Sequence, residues 1–159
     1  MDYTIRFAEK KDVSAILGLI QELAVFEKEP DAVIVTEADL LENGFGKQPL
    51  FTCFVAEKDN IIVAIALVYI RFSTWKGKTV HLEDLIVSND YRGEGLGTLL
   101  LDEVIKYGYS LGVKRICWEV LDWNEPAIKF YESKGATLLK DWYLVQMDET
   151  SIKKYIENL

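Results

Sequence analysis

The chain has 159 residues with a net charge of −8; half of the residues are hydrophobic and 12% are aromatic. This length fits one domain, so we predict a single domain over residues 1–159 with a full-sized core. The acidic balance argues against a nucleic-acid partner, because phosphates require a basic surface.

Local features exclude further classes of protein. The longest apolar run, residues 61–70, is as long as a strand and too short to span a membrane. The first seven residues carry charges and do not resemble a signal peptide, so we predict a cytoplasmic protein without a membrane partner. Cys53 and Cys117 lie in strand-like runs and are expected to be reduced, buried thiols. Without a Cys-x-x-Cys pair or a histidine cluster, no metal site is predicted.

The first half of the chain predicts a strand, two helices and a hairpin. Alternation over residues 3–7 is typical of a strand, and the apolar spacing over residues 13–24 predicts an amphipathic helix. A second, short helix opens at Thr36, which forms a capping-box pattern with Asp39, and ends at Gly44. Two strands rich in Val, Ile and aromatic residues follow, over residues 51–57 and 61–72, joined at Asp59-Asn60.

The second half begins with a strand over residues 80–87 that runs into the glycine-rich sequence Tyr91-Arg92-Gly93-Glu94-Gly95-Leu96-Gly97. A helix to about residue 112 and a strand over residues 115–120 follow. Asn124 is a predicted N-cap, with Pro126 in the first turn of a helix that stops at Gly135. We expect one or two last strands in residues 138–147 and a helical tail from Thr150. This order predicts an α/β fold with a central mixed sheet of about six to seven strands, flanked by helices.

The glycine-rich loop is the strongest local signal. Its glycines allow a close backbone approach, and the helix behind it presents free N–H groups and the positive end of its dipole, which suits a pyrophosphate. Arg92 adds a cation nearby. A Rossmann fingerprint begun at Gly93 would need a glycine where Thr98 stands, and the Walker A lysine is missing.

Two segments together resemble one known superfamily. Arg-Gly-x-Gly-x-Gly, after a strand that ends Leu-Glu-Asp-Leu-Ile-Val, resembles the acetyl-CoA loop of the GNAT superfamily, and residues 123–131 resemble its Asn-x-x-Ala-x-x-Phe-Tyr segment. The whole chain is similar to the spermidine/spermine (diamine) and thialysine N-acetyltransferases, most closely at residues 82–84, 90–93 and 123–126. The resemblance implies the GNAT fold and an enzyme that moves an acetyl group from acetyl-CoA to a primary amine in a ternary complex.

The resemblance also implies which residues hold acetyl-CoA. They are Leu85, Ile86, Val87, Arg92, Gly93, Glu94, Gly95, Leu96, Gly97, Thr98, Asn124, Glu125, Pro126, Ala127 and Tyr131. In GNAT proteins the strand at residues 85–87 splays from its neighbour and supplies backbone N–H groups to the oxyanion, each worth about 3–4 kcal/mol in acyl transfer. Tyr131 stands in the family's position for the general acid, since a phenol pKa of about 10 is close to that of a thiol.

The amine must lose a proton before it attacks. At pH 7 only about one lysine-like amine in 10³ is neutral, so a base is needed. The resemblance implies that Glu83 takes this proton through water; the alternative is an ordinary strand residue with a salt-bridge partner. Because side chains alternate along a strand, we expect Glu83 and Asp84 to point to opposite sides. His81, the only histidine, is expected to be an ordinary strand residue.

The acceptor amine is the part of the predicted function that the sequence determines least. The family's Tyr-Glu pair after the first helix matches Phe26 and Glu27, so Glu27 and Glu83 are predicted to contact a cationic amine, while Phe26 lacks the hydroxyl. The segment over residues 137–141 looks shorter than in the polyamine enzymes, which leaves thialysine, other diamines and amino acids open. A protein amine as acceptor and a CoA-binding regulatory module without turnover are the alternatives. A homodimer is expected from the resemblance alone.

Overall fold

The computed structural model describes residues 3–159. The chain divides after Glu119 into two compact units, which are described in turn. The single domain over residues 1–159 stays a prediction.

The first unit is built on a mixed sheet whose strands follow chain order. Among residues 3–159 the sheet has five strands: β1 (Thr4–Phe7), β2 (Thr52–Lys58), β3 (Ile61–Ser73), β4 (Gly77–Val87) and β5 (Ile116–Cys117). The first four are antiparallel to their neighbours, and β5 runs parallel to β4. The α/β class is therefore confirmed, with fewer strands than the six to seven predicted.

Helices cover both faces of this sheet. They are α1 (Val13–Phe26), α2 (Glu37–Phe45) and α3 (Leu96–Ser110). Side chains of α1 and α2 pack on one face in a buried cluster that consists of Val13, Ile16, Leu19, Leu40, Cys53, Val55, Ile65, Leu67 and Ile86. On the other face, the ring of Phe54 meets that of Tyr107 in α3 at 5.6 Å. Burial of such side chains from water, about 1.5–3 kcal/mol for each large one, fixes the two layers.

Local signals in the first unit form as predicted. Asp59 and Asn60 both have positive φ, at 51° and 64°, as a two-residue turn with the twist of its hairpin requires. Thr36 caps α2: its hydroxyl accepts from the Asp39 N–H at 3.2 Å, and the Asp39 carboxylate accepts from the Thr36 N–H at 2.9 Å. These short-range interactions need no tertiary partner, which is why the sequence reveals them.

The second unit contains two helices, α4 (Glu125–Ser133) and α5 (Glu149–Glu157). Asn124 is the N-cap of α4, as predicted, since its side-chain oxygen accepts from the Ala127 N–H at 3.3 Å. The last helix starts one residue before the predicted Thr150, capped by Asp148.

The strands predicted over residues 138–147 are wrong, because this segment has no strand. Its large apolar side chains are exposed on both alternating sets: Leu139 at 66% and Tyr143 at 91% on one set, and Trp142 at 70% and Leu144 at 72% on the other. Alternation predicts a strand only where one face is buried and a neighbouring strand accepts the hydrogen bonds. Across residues 3–159, no helix is long and apolar enough to cross a membrane.

Candidate active site

A β-bulge in β4 shapes the site. Leu82 lies opposite Val68, but Asp84 lies opposite Leu67, so Glu83 is an extra residue on β4 without a counterpart on β3. A bulge of this kind breaks the alternation of side chains and re-aims those beside it. Residues 80–87 contain no glycine or proline that would have indicated the bulge in the sequence.

The bulge brings two carboxylates to one side of the sheet. Asp84 shares a face with its partner Leu67, which belongs to the cluster under α1. Glu83 lies on that face too, since its Oε2 atom is 3.6 Å from Nε2 of His81, which pairs with the same-face residue Tyr69. The expected opposite orientation of Glu83 and Asp84 is therefore wrong. Glu83 is the extra residue of the bulge, so the side chains do not alternate at this point and both carboxylates lie on the same face.

Glu27, the C-cap residue of α1, completes this group. Burial, together with the charges of Glu83 and Glu27, raises the pKa of Asp84 from 3.8 to about 6. Partial burial of its carboxyl also raises the pKa of Glu27, although the residue as a whole is exposed. We call Glu27, Glu83 and Asp84 the carboxylate face. Three negative groups at close range, one of them poorly solvated, favour a cation as their ligand.

The edge of β4 that faces β5 is only partly paired. β5 pairs with Val80 and His81, and among residues 3–159 no strand pairs with this edge over residues 82–87. The Ser88 N–H donates to the Val63 carbonyl at 2.9 Å. By antiparallel alternation, the N–H groups of Leu85 and Val87 are then directed to the open edge, and that of Ile86 toward β3. Of the three predicted oxyanion donors, Leu85 and Val87 thus present their N–H groups at this edge.

The glycine loop follows β4 through a 3₁₀ turn, Asn89–Tyr91. Gly93 and Gly95 have φ of 82° and 84°, a conformation that side chains other than glycine rarely adopt. Gly95 is the N-cap of α3, so the N–H groups of Leu96 and Gly97 lie in the first helical turn, which has no intrahelical acceptors. No atom lies within 4 Å of a Cβ built at Gly93 or Gly95, so the surface beside both is open.

The last turn of α1 holds the start of this loop. The Glu22 carboxylate accepts from the Asn89 N–H at 2.7 Å. The Arg92 guanidinium lies 4.9 Å over the ring of Phe26, and its Nε donates to the Val87 carbonyl at 3.1 Å. Phe26, predicted to contact substrate, and Arg92, predicted to contact the cofactor, therefore contact each other.

A second contact ties the loop to the sheet. The Tyr3 hydroxyl donates to the Glu94 carboxylate. Lys58 lies 3.5 Å from that hydroxyl, and its ammonium group sits over the rings of Tyr3 and Tyr91 at 5.1 and 5.5 Å. These contacts fix the position of Glu94, an acidic side chain in a loop that is predicted to bind phosphate.

In the second unit, α4 carries the other predicted site residues. Asn124 caps the helix, and Glu125, Pro126 and Ala127 form its first turn. Tyr131 is half-buried, with its ring 5.3 Å from that of Phe130. The cap accounts for the side-chain oxygen of Asn124 and leaves its amide NH₂ group as a donor.

Two features escaped sequence reasoning. Asp84 was treated only as a neighbour of Glu83, yet it has the most strongly raised pKa among the carboxyls of the described residues. His81 was expected to be an ordinary strand residue, yet its ring contacts Glu83. A polar pair after a buried strand could have suggested Asp84, but only the bulge shows which way it points.

Comparison with known proteins identifies the family. The profile of the Acetyltransferase (GNAT) family matches residues 15–136. Thialysine N-epsilon-acetyltransferase of Bos taurus is 34% identical over 94% of this chain and 95% of that protein. Spermidine/spermine N(1)-acetyltransferase-like protein 1 of Homo sapiens is 36% identical over 96% of this chain and 24% of that protein.

Among solved structures, an integron cassette protein from the mobile metagenome of V. cholerae has a TM-score of 0.81 at 23% identity, covering 99% of each chain. That likeness shows the fold. The family profile over residues 15–136 and the two relatives, which are matched over 94% and 96% of this chain, confirm the resemblance found in the sequence. The chain therefore belongs to the GNAT family, among its diamine and thialysine acetyltransferases, and is an acetyltransferase.

Proposed function

We propose that this acetyltransferase transfers the acetyl group of acetyl-CoA to a primary amine of a small cationic substrate, such as a diamine, a polyamine-like molecule or thialysine. The observation that carries the proposal is the carboxylate face, where Glu27, Glu83 and Asp84 converge beside the open edge of β4. A protonated diamine or amino acid offers one amine for the reaction and a second charge for recognition. The relatives named thialysine N-epsilon-acetyltransferase and spermidine/spermine N(1)-acetyltransferase-like protein 1 support this substrate class.

The glycine loop suits acetyl-CoA. Its left-handed glycines, the open surface beside them and the first turn of α3 form a place where backbone N–H groups can receive a pyrophosphate. The residues proposed to hold it are those of the loop, residues 92–98, with Asn124 to Ala127 of α4. When bound, acetyl-CoA supplies an activated thioester.

The first chemical task is removal of a proton from the amine. At pH 7 this costs on the order of 4–5 kcal/mol for a lysine-like amine unless a base assists. Glu83 is the proposed acceptor, directly or through water, because its carboxylate is about half exposed at the bulge. Asp84 and Glu27 are proposed to bind the second positive charge of the substrate.

The remaining tasks concern the thioester. The neutral amine nitrogen attacks the carbonyl carbon and forms the C–N bond, the C–S bond breaks, and the sulfur leaves as the thiol of CoA with one proton. The nitrogen releases its second proton, which balances the proton that the sulfur receives. We propose that the N–H groups of Leu85 and Val87 stabilise the oxyanion, and that the Tyr131 hydroxyl donates the proton to sulfur. The products are an N-acetyl amide and CoA.

The test is release of CoA from acetyl-CoA with a panel of amines: spermidine, spermine, putrescine, thialysine, lysine and a basic peptide. We expect turnover of one or more small amines, reduced about 100-fold or more in Glu83→Gln and in Tyr131→Phe. Tyr143→Phe, which changes a tyrosine that is 91% exposed, is the matched control and should keep full activity. Turnover of the peptide alone would replace the small amine with a protein acceptor. Tight binding of acetyl-CoA without any turnover would favour a regulatory module.

A homodimer and a cytoplasmic location also belong to this proposal, the first from the family resemblance and the second from sequence. Sedimentation equilibrium of the full chain tests the oligomeric state. A monomer at micromolar concentration would contradict the dimer without affecting the chemistry above.

A further inference from the structure

His81 is a buried polar residue on the sheet face that carries Glu83 and Asp84. Only 3% of it is exposed, although it belongs to a long apolar strand. A buried imidazole is costly unless both ring nitrogens have partners. The surroundings of His81 supply partners on both sides of the ring.

The Nδ1 side faces a cation and a thiol. Nη1 of Arg71 on β3 lies 3.4 Å from Nδ1, and Sγ of Cys117 on β5 lies 3.6 Å from it. A guanidinium only donates, so Nδ1 must be the acceptor in this contact. The proton of the neutral ring is then on Nε2.

The Nε2 side faces carboxylates. The Glu83 Oε2 atom lies at 3.6 Å and that of Glu119 at 3.9 Å. The Tyr69 ring lies against that of His81, with centroids 4.9 Å apart and planes tilted by 36°. The Nε2–H group therefore points at the carboxylate proposed as the base. Catalytic hydrogen bonds are often long in the absence of ligands and shorten in the reactive complex.

Glu83 needs such support more than an ordinary strand residue does. It is the unpaired residue of the bulge, and its side chain is 52% exposed, so packing does not select one rotamer. Beside it, the like charge of Asp84 repels its carboxylate. A donor that is itself locked by burial and by Arg71 can hold the carboxylate in one place.

We propose that His81, as the Nε2–H tautomer set by Arg71, is the positioning residue that orients Glu83 toward the amine. The proposal rests on the proposed role of Glu83 as the base. It assigns His81 no contact with substrate.

Two neutral substitutions separate the two sides of the ring. His81→Gln places an amide N–H near the position of Nε2 and keeps a donor for Glu83. His81→Asn places an amide oxygen near Nδ1, which keeps an acceptor for Arg71 and loses the donor. We expect kcat within threefold of wild type for His81→Gln and about 10- to 100-fold lower for His81→Asn, since misplacement of a catalytic group by about 1 Å has effects of this size. The KM for acetyl-CoA should change less than twofold in both.

A double-mutant cycle with Glu83→Gln supplies the decisive comparison. If His81 acts through Glu83, adding His81→Asn to Glu83→Gln should lower kcat no further. Additive losses in the double variant would overturn the proposal and assign His81 to structure. So would an active His81→Asn variant beside an inactive His81→Gln variant. If Glu83→Gln alone leaves kcat unchanged with every amine, the proposed base is wrong, and the cycle reports that failure separately.

The tautomer can be read without any substitution. His81 is the only histidine in the sequence, so ¹⁵N NMR of the untagged, histidine-labelled protein reports its ring directly. We expect the Nε2–H form, with a ring resonance that moves in Glu83→Gln. The Nδ1–H form, or a resonance that does not respond to Glu83→Gln, would contradict the proposal even if His81→Asn failed to fold.

Discussion

The glycine loop and the carboxylate face lie at the same end of β4, yet they are built in different ways. The loop is made of consecutive residues whose conformations follow from their own types: Gly93 and Gly95 have positive φ, and Gly95 starts α3. The carboxylate face joins Glu27 at the end of α1 to Glu83 and Asp84 on β4. Those residues meet only because α1 packs on the sheet and β4 contains a bulge.

The difference has a physical consequence for each region. In the glycine loop the free-energy cost is conformational, since the loop needs residues without a Cβ at left-handed backbone positions. The cost of the carboxylate face is electrostatic, since burial and like charges disfavour the ionised form of Asp84. Substitutions in the glycine loop should therefore change backbone strain and the affinity for acetyl-CoA. Substitutions in the carboxylate face should change the pH dependence and the affinity for the amine.

The largest effect is expected for Asp84→Asn. The pKa of Asp84 is raised from 3.8 to about 6 in the folded protein. Between these values the folded chain binds more protons than the unfolded chain, so the free energy of unfolding falls as pH rises. Removing the charge should stabilise the protein by up to about 3 kcal/mol at pH 8, and this gain should shrink as pH falls and vanish below about pH 3. Urea unfolding at several pH values measures this difference.

The same variant should bind its amine more weakly, with KM about 10-fold higher at pH 8, because a charge-assisted contact is lost. Asp31→Asn removes an exposed carboxylate and is the matched control, with a change in stability below about 0.5 kcal/mol. A stability gain in Asp84→Asn that is equal at pH 4 and pH 8 would show that charge is not its cause.

A smaller effect on stability is expected for Gly95→Ala. Placing a Cβ at φ of 84° costs about 1–2 kcal/mol, and the loop can relieve it only by moving the first turn of α3. We expect the KM for acetyl-CoA to rise about 10-fold, since the N–H groups that receive the pyrophosphate shift with that turn. Steady-state kinetics and thermal unfolding measure the two effects.

Gly112→Ala is the matched control for this variant. Gly112 also has positive φ, 67°, with no atom within 4 Å of a built Cβ, but it follows α3 instead of preceding it. A similar loss of stability with an unchanged KM would localise the cofactor effect to the loop. Equal KM increases in both variants would point to a general weakening of α3.

The smallest effect is expected for Tyr3→Phe. This change removes the hydroxyl that donates to Glu94, and frees an acidic side chain within the loop. The KM for acetyl-CoA should rise roughly two- to threefold with kcat unchanged, as loss of one partly buried hydrogen bond allows. Tyr109→Phe, at a tyrosine that is 87% exposed on α3, should have no effect. A lower kcat in Tyr3→Phe would mean that the contact reaches beyond cofactor binding.

Sequence reasoning located most of the first unit and the start of α4 in the second. The hairpin at Asp59-Asn60, the capping box at Thr36 and the N-cap at Asn124 are all present, because each depends on interactions within four residues. It failed over residues 138–147, where alternation predicted strands although no neighbouring strand receives them. Periodicity reports a capacity to form a strand, while pairing depends on distant parts of the chain.

By itself, the sequence determined the family, the glycine loop with its helix, and the candidate residues Glu27, Glu83 and Tyr131. Those features are local or are carried by motifs of fixed spacing. Only the tertiary structure decided that Glu83 and Asp84 share a face, that Asp84 titrates near pH 6, and that His81 points its Nε2 side at Glu83. Each of these depends on one inserted residue in the pairing of β3 with β4 and on the helix packed above it. A register shift and a desolvation energy arise from contacts between segments far apart in the chain, and neither is encoded in any single segment.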